Sequence, residues 1–283
     1  MIQHLIQPSF GYSSDVAVHT AVDLNLCVEY GHHYLTISIY KKDQFPISIE
    51  TYVLKERLDV YTLEYILQTE KYASLAVAEV NLIVNTPDIT LVPEKFHKDH
   101  LSQSIYNTMQ GDLHLSGVQT DHVSQWELSA VYGVDEPILK YLTEKYTFVK
   151  TKHFISLALV SLFRNNLEDL DSFIKIYFSQ HYLTIILVKG AQLQFAQSIY
   201  YETTEDAIYQ LLNLVEHHHV DLKYLKALVS GHIDDESATW KELRKYILDI
   251  SLETTLSIET KPSEQDAVGS HFFTPHLQVL QCV

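Results

Sequence analysis

Two hydrophobic periods alternate along this chain, and they recur twice in the same order. In "LNLCVEYGHHYLTISIYKKDQFPISIETYVL" the period is two. Leu35, Ile37 and Ile39 fall on one face of a strand, and Ile47, Ile49 and Val53 on one face of the next, with Ser48, Glu50 and Tyr52 opposite. With "LNLCVEY" ahead and the polar turn "KKDQ" between, the stretch predicts a three-stranded antiparallel meander. "FIKIYFSQHYLTIILVKGAQLQFAQSIYYE" predicts another, with Leu183, Ile185 and Leu187 answering the first copy across the turn "KGAQ". The five letters HYLTI stand at His33–Ile37 and at His181–Ile185, 148 positions apart (181 − 33). At that offset Lys41 falls on Lys189, Gln44 on Gln192 and Tyr52 on Tyr200, giving eight identities in twenty-six gapless positions.

After each meander the period lengthens to that of a helix. Asp59 stands as N-cap before the stripe Leu63, Ile66 and Leu67. In the second copy Thr203 and Asp206 form a capping box before Ile208, Leu211, Leu212 and Val215. Apolar strands follow, "VNLIVN" (Val80–Asn85) and "LKALVS" (Leu225–Ser230). Thr239 and Glu242 mark a last helix with the stripe Trp240, Leu243, Ile247 and Leu248. The pattern is an α/β chain of two βββαβα lobes related by internal duplication.

Material without an expected equivalent in the second copy lies between them. "SQWELSAVYGVDEPILKYLTEKYTFV" reads as a strand, a helix with Asp135 at its N-cap and Pro137 in its first turn, and a short strand at Phe148. A helix over Lys152–Phe163 follows. Residues 97–125 are polar, hold Gly111 and Gly117, and read as an inserted hairpin region of low regularity. "RNNLEDLD" (164–171) is the expected boundary, dividing the chain into lobes 1–168 and 169–283.

Composition narrows the function classes. The 283 residues are 46% hydrophobic with 8 Gly and 7 Pro, which is globular rather than disordered. The formal charge of −16 repels phosphate backbones and anionic headgroups, so no nucleic-acid partner and no membrane insertion is expected. "MIQHLIQPSF" lacks a basic flank and an apolar run, which reads as no signal peptide. "FISLALVSLF" is half the ~20 residues a membrane helix needs. Cys27 and Cys282, both in apolar strand-like surroundings, read as reduced thiols of a cytoplasmic protein.

The duplicated unit resembles the actin-like ATPase superfamily, with its RNase H-like lobes. More specifically the chain is similar to an uncharacterised bacterial, Bacteroidetes-type domain family of unknown function. The matching stretches are "TPDITLVPEKF", "FAQSIYYETTEDAIYQLL", "LVSGHID" and "HFFTPHLQVLQC". The resemblance implies ATP held between two lobes, gripped by the first hairpin of each lobe through Asp and small residues, with a Gly-Gly turn making room for adenosine. Here the first hairpin is "VEYGHHYL", leaving Glu29 and Gly31; the second, "IYFSQHYL", leaves Ser179. The adenosine turn "VSGHID" leaves Ser230, Gly231 and His232. No Gly-Gly pair and no G-x-x-x-x-G-K-[ST] loop occurs. Bulky residues where backbone N–H groups must approach phosphate argue against turnover. The expectation is a pseudo-ATPase with no catalytic residue and no cofactor, binding a protein or peptide as PilM-type relatives do, at the cleft between the lobes or an edge of the first. The alternative is a residual ATP binder or slow phosphotransferase using Glu29, Gly31 and Gly231.

Other clusters have plainer readings. His217, His218 and His219 end a helix and point about 100° apart, so they read as a solvated terminus. His97 and His100 near Asp99 lack a matching ligand pair, so no metal is expected. Two-metal nuclease chemistry needs several converging carboxylates, and only Glu29 is placed for it. No G-x-S-x-G elbow is present, Asp234-Asp235-Glu236 reads as acidic capping, and Tyr200-Tyr201 and Phe272-Phe273 read as strand-core aromatics.

Overall fold

A computed structural model describes residues 6–14, 23–42, 44–111, 116–163, 172–253 and 269–282. The chain forms two compact units, Met1–Ser156 and Leu157–Cys282. The segment 164–171, where the sequence suggests a boundary, lies outside the described residues.

The first unit is built on a sheet of six strands. β1 (Phe10–Ser13), β2 (Leu24–Tyr30), β3 (Tyr34–Tyr40), β4 (Ser48–Val53), β5 (Val77–Val84) and β9 (Val149–His153) lie in the order β1-β4-β3-β2-β5-β9. β1, β4, β3 and β2 are antiparallel, while β5 and β9 continue parallel to β2. The expected meander is β2-β3-β4. All seven residues of β3 are buried, because both faces of this central strand are covered. Crossover to β5 runs through α1 (Val60–Leu67) and the short α2 (Glu70–Ala73). Asp59 caps α1 by accepting from Thr62 N at 2.8 Å, and Leu63, Ile66 and Leu67 are its buried stripe.

Between β5 and β9 the chain makes a second sheet, β6 (Ile89–Pro93), β7 (Ser116–Val123) and β8 (Leu128–Asp135), in the order β6-β8-β7, with helix α3 (Ser102–Gln110) beside it. The region 97–125 is therefore more regular than its polar composition suggests: α3 buries only Tyr106, so its apolar stripe is too sparse to read. Helix α4 (Glu136–Lys145) follows, capped by the Asp135 carboxylate accepting from Ile138 N, with proline in its first turn. Asp121, 3% exposed, ties the inserted sheet to β9: its Oδ1 accepts from Lys152 Nζ and Tyr132 Oη, and its Oδ2 from His153 N.

The second unit has five strands. β10 (Ser172–Phe178), β11 (Tyr182–Lys189), β12 (Gln192–Tyr200), β13 (Lys226–Gly231) and β14 (Asp249–Leu252) lie in the order β12-β11-β10-β13-β14. Again a meander is followed by two parallel strands. Helix α6 (Thr204–His217) carries the expected Thr203/Asp206 capping box, and α7 (Ala238–Tyr246) is capped by Ser237. Ile174, Ile176, Leu183, Ile185 and Leu187 pack under Leu211 and Val215 of α6 and Trp240 and Leu243 of α7. Leu248, expected on that helical stripe, is 76% exposed, because α7 ends at Tyr246.

Helix α7 and strand β14 answer α4 and β9, so the material after the inserted sheet does have its equivalent in the second unit. Its strand does not stand out in the sequence because β14, Asp-Ile-Ser-Leu, alternates over only four residues directly after a helical stripe. Helix α5 (Phe154–Phe163) starts two residues later than expected, since Lys152 and His153 belong to β9. The C-terminal stretch is helical: α8 (Thr274–Leu280) follows a 3-10 turn at Ser270–Phe272. Phe272-Phe273 and Cys282 are thus beside a helix and not in strands.

Bonding is repeated between the two meanders. Gly31 N donates to Tyr34 O, and Ser179 N to Tyr182 O; Asn85 N donates to Tyr30 O, and His232 N to Phe178 O. A buried hydroxyl pair crosses each meander, Thr36 with Thr51 at 3.0 Å and Thr184 with Ser198 at 2.7 Å. These equivalences support the expected duplication. They also shift the gapless alignment in the third strand: Thr36 pairs with Thr51, but Thr184 pairs with Ser198, so Tyr200 answers Val53 and not Tyr52. The cause is the turn. Gly190 and Ala191 make a tight turn with both φ positive, at 55° and 60°, and a register shift follows between Leu187 and Val188.

Candidate functional site

The first hairpin, between β2 and β3, is closed by its own side chains. Gly31 has room for nothing but hydrogen at Cα, since a Cβ there would lie 2.3 Å from the Tyr34 ring. The ring covers the glycine, and Tyr34 Oη donates to Glu29 Oε1 at 2.9 Å. Asn85 Nδ2, just past β5, donates to the same oxygen at 3.0 Å. Glu29 is 4% exposed. Burial, with the Glu29 charge beside it, holds the Tyr34 phenol well above its ordinary value, so the hydroxyl stays protonated as the donor. The hairpin tip is anchored too: Leu58 N donates to His32 O, and Leu54 N to His33 O.

Beside this hairpin lies a small pocket open to solvent, lined by Gly31, His32, Arg57, Thr86, Asp88 and Asp135 among others. Asp88 faces His32 Nε2 at 3.5 Å, and Asp135 caps α4. Arg57 is the one permanent cation in a lining that holds two carboxylates, a poor balance for a polyphosphate.

Below the hairpin, His153 is wholly buried. Its Nδ1 accepts from Ile155 N at 3.1 Å, so Nε2 carries the proton and donates to Thr86 O at 3.1 Å. Burial lowers its pKa to about 4, against the partial opposition of Asp121. The ring is neutral in the fold and protonates near 6.5 when unfolded. Its contribution is complete above pH 6.5 and is lost as pH falls from there towards 4. Urea titrations at pH 7.5 and 5 should differ by about 2 kcal/mol from this group, and His153→Gln should flatten that part of the profile.

In the second unit the hairpin at Ser179 has no carboxylate. Ser179 Oγ donates to Tyr182 O at 3.1 Å, and Tyr201 Oη donates to Ser179 O at 3.0 Å. The remaining expected residues end β13. Gly231 has φ +91°, and a Cβ there would lie 2.1 Å from Phe178 O, so close backbone approach within the sheet explains this glycine. His232 stacks on Phe272 at 6.1 Å, and His271 Nε2 bonds to Ile233 O at 2.6 Å. Ser230 Oγ is buried with no hydrogen-bond partner among the described residues. The structure thus brings Gly231 and His232 against the second hairpin, and lays the C-terminal segment across their turn.

Tyr34, Asn85 and His271 are the residues sequence reasoning missed here, while Phe272, read as a strand-core aromatic, stacks on His232 instead. The signal for Tyr34 was present in HYLTI itself, a large ring three residues after a hairpin glycine. The other two come from distant parts of the chain and left none. His217 ends α6 and His218 caps it, as expected for a terminus. Asp234 Oδ1 accepts from Glu236 N, a local turn ahead of the Ser237 cap. Among the described residues no group of three His, Cys, Asp or Glu is arranged to hold a metal, and no helix is long and apolar enough to cross a membrane.

Strand order and connections of both units define an actin-like ATPase fold. The structure of a Bacteroides thetaiotaomicron protein with that fold and of unknown function is similar over 95% of this chain and 100% of that one, with a TM-score of 0.78 and 15% identity. A chain of a PilM-PilN type IV pilus biogenesis complex is similar over 90% of this chain and 97% of that one, with a TM-score of 0.60 and 10% identity. The sequence matches the family described as "Protein of unknown function (DUF3822)" over residues 13–250, and the chain belongs to that family. No functionally curated protein matches it.

Proposed function

We propose that this chain is a non-hydrolysing actin-like protein that works in the cytoplasm by holding a protein or peptide partner. The observation that carries the reading is Tyr34: its ring fills the space over Gly31 where a phosphate would have to approach, and its hydroxyl occupies Glu29. Metal and water handling would need that carboxylate exposed, yet Tyr34 and Asn85 both donate to it in a buried setting. The turn at Gly231 is likewise covered by His271 and Phe272. The PilM-PilN complex supports the binding half of the proposal, since a chain with this fold there assembles with another protein.

Thermal melting with millimolar ATP and Mg²⁺, and with ADP and GTP as controls, tests it. The expected result is no change in Tm. A ligand at one hundred times its Kd would stabilise by about 2.7 kcal/mol, which is several degrees for units of this size. Such a shift would overturn the proposal in favour of a residual nucleotide binder.

A further inference from the structure

The two sheets differ at one edge. In the first unit β1 pairs along β4 and closes the meander's outer side. In the second unit β12 ends the sheet, and among the described residues no strand pairs with its outer edge. Long open edges are ordinarily guarded by lysine, proline or a distorting bulge, because their free N–H and C=O groups recruit other strands. β12 is nine residues long, "QLQFAQSIY", without charge or proline in a chain of net charge −16. Its one irregularity lies near its start, and Phe195–Tyr200 keep regular register with β11.

The two ends of this edge carry opposite chemistry. At the Gln192 end lie Lys189, whose Nζ donates to His219 O, and His218, whose ring meets Phe195 at 6.1 Å; Glu216 in the last turn of α6 and Asp221 in the turn after it are the neighbouring carboxylates. At the Tyr200 end lie Glu202, which accepts from Tyr200 Oη, and Glu205 and Asp206 in the first turn of α6. A strand of the same sequence running antiparallel brings the lysine and histidine end of one copy to the carboxylate end of the other.

We propose that β12 pairs antiparallel with β12 of a second copy of this chain, about a two-fold axis through Ala196. The pairing sets Phe195 opposite Gln197 on one face of the joined sheet, and Gln194, the extra residue of the register shift, lies at the end of this regular pairing. Identical patches meet across the axis, so the assembly closes as a dimer and does not propagate. The absence of charge between the ends is what allows two acidic chains to approach there.

Sedimentation equilibrium of the full chain tests this. The mass should rise from 32.6 kDa towards twice that value between roughly 1 and 100 µM. Gln197→Lys places a charge on each strand beside the axis and should hold the protein at monomer mass, while Gln197→Thr, a good strand former, should leave the dimer intact. A second measurement uses Cys282→Ser with Ala196→Cys. Directly opposed Cα atoms lie about 4.5–5.5 Å apart, within disulfide reach, so mild oxidation should cross-link it. Leu248→Cys, at a residue 76% exposed elsewhere on the unit, should stay single. A monomer at every concentration overturns the proposal. So does a dimer that survives Gln197→Lys and fails to cross-link through Ala196→Cys, since its interface would lie elsewhere.

Discussion

Gly231→Ala should destabilise the second unit by about 3–5 kcal/mol and leave much of the protein insoluble. Two costs add at this position. The backbone sits at φ +91°, where a side chain is strained, and the new methyl would lie 2.1 Å from Phe178 O. That carbonyl belongs to the strand paired with β13 and also accepts from His232 N, so it has no freedom to retreat. Relief requires β10 and β13 to separate at their carboxyl ends, below the second hairpin. Gly117→Ala is the control, because a Cβ there meets nothing within 4 Å. Denaturant titration of both variants separates the two cases.

The second large effect concerns Lys175. On β10, facing away from the α6 and α7 core, its ammonium is 1% exposed and pairs with Glu253 Oε1 at 2.9 Å and Gln278 Oε1 at 3.0 Å. Burial lowers its pKa, and the Glu253 charge opposes that shift. Glu253→Ala removes the only carboxylate paired with this lysine among the described residues, leaving a buried cation answered by one amide. The expected cost is about 3–5 kcal/mol. Lys175→Met should cost less, about 1–2 kcal/mol, because the Glu253 side chain is 13% exposed against 1% for Lys175 and so is less dehydrated, although its Oε2 is buried. The asymmetry is the diagnostic, and denaturation midpoints at pH 7.5 read it. Equal losses would mean that Glu253, once its partner is gone, is as poorly hydrated as Lys175.

How legible these features were depends on the range of the interactions involved. The meanders, the caps at Asp59, Asp135 and Thr203, and the stripes of α1 and α6 are local patterns, and each stands where its spacing places it. Helix α3 was not legible because it buries one residue, nor β14 because its alternation of exposed and half-buried positions runs for only four residues. The alignment of HYLTI held for two strands and slipped in the third, since turn geometry sets register and two polar turns of similar letters differ in length. Among the candidate residues, Glu29 and Gly31 were found through a pattern within one hairpin. Their neighbours Asn85 and Thr86 arrive through parallel pairing of β5, which leaves no short-range trace. His153 and Asp121 are thirty-two positions apart and read separately as ordinary polar residues of strands.

Gly31 carries a consequence for how such chains descend and change. A glycine in a hairpin reports that something lies close to the backbone, but not what lies there. In this hairpin the near neighbour is a phenol from the same turn, and its ring excludes a Cβ there without any ligand. Nucleotide handling at this hairpin would require loss of the ring at Tyr34, and further glycines added around it would gain nothing while the ring remained.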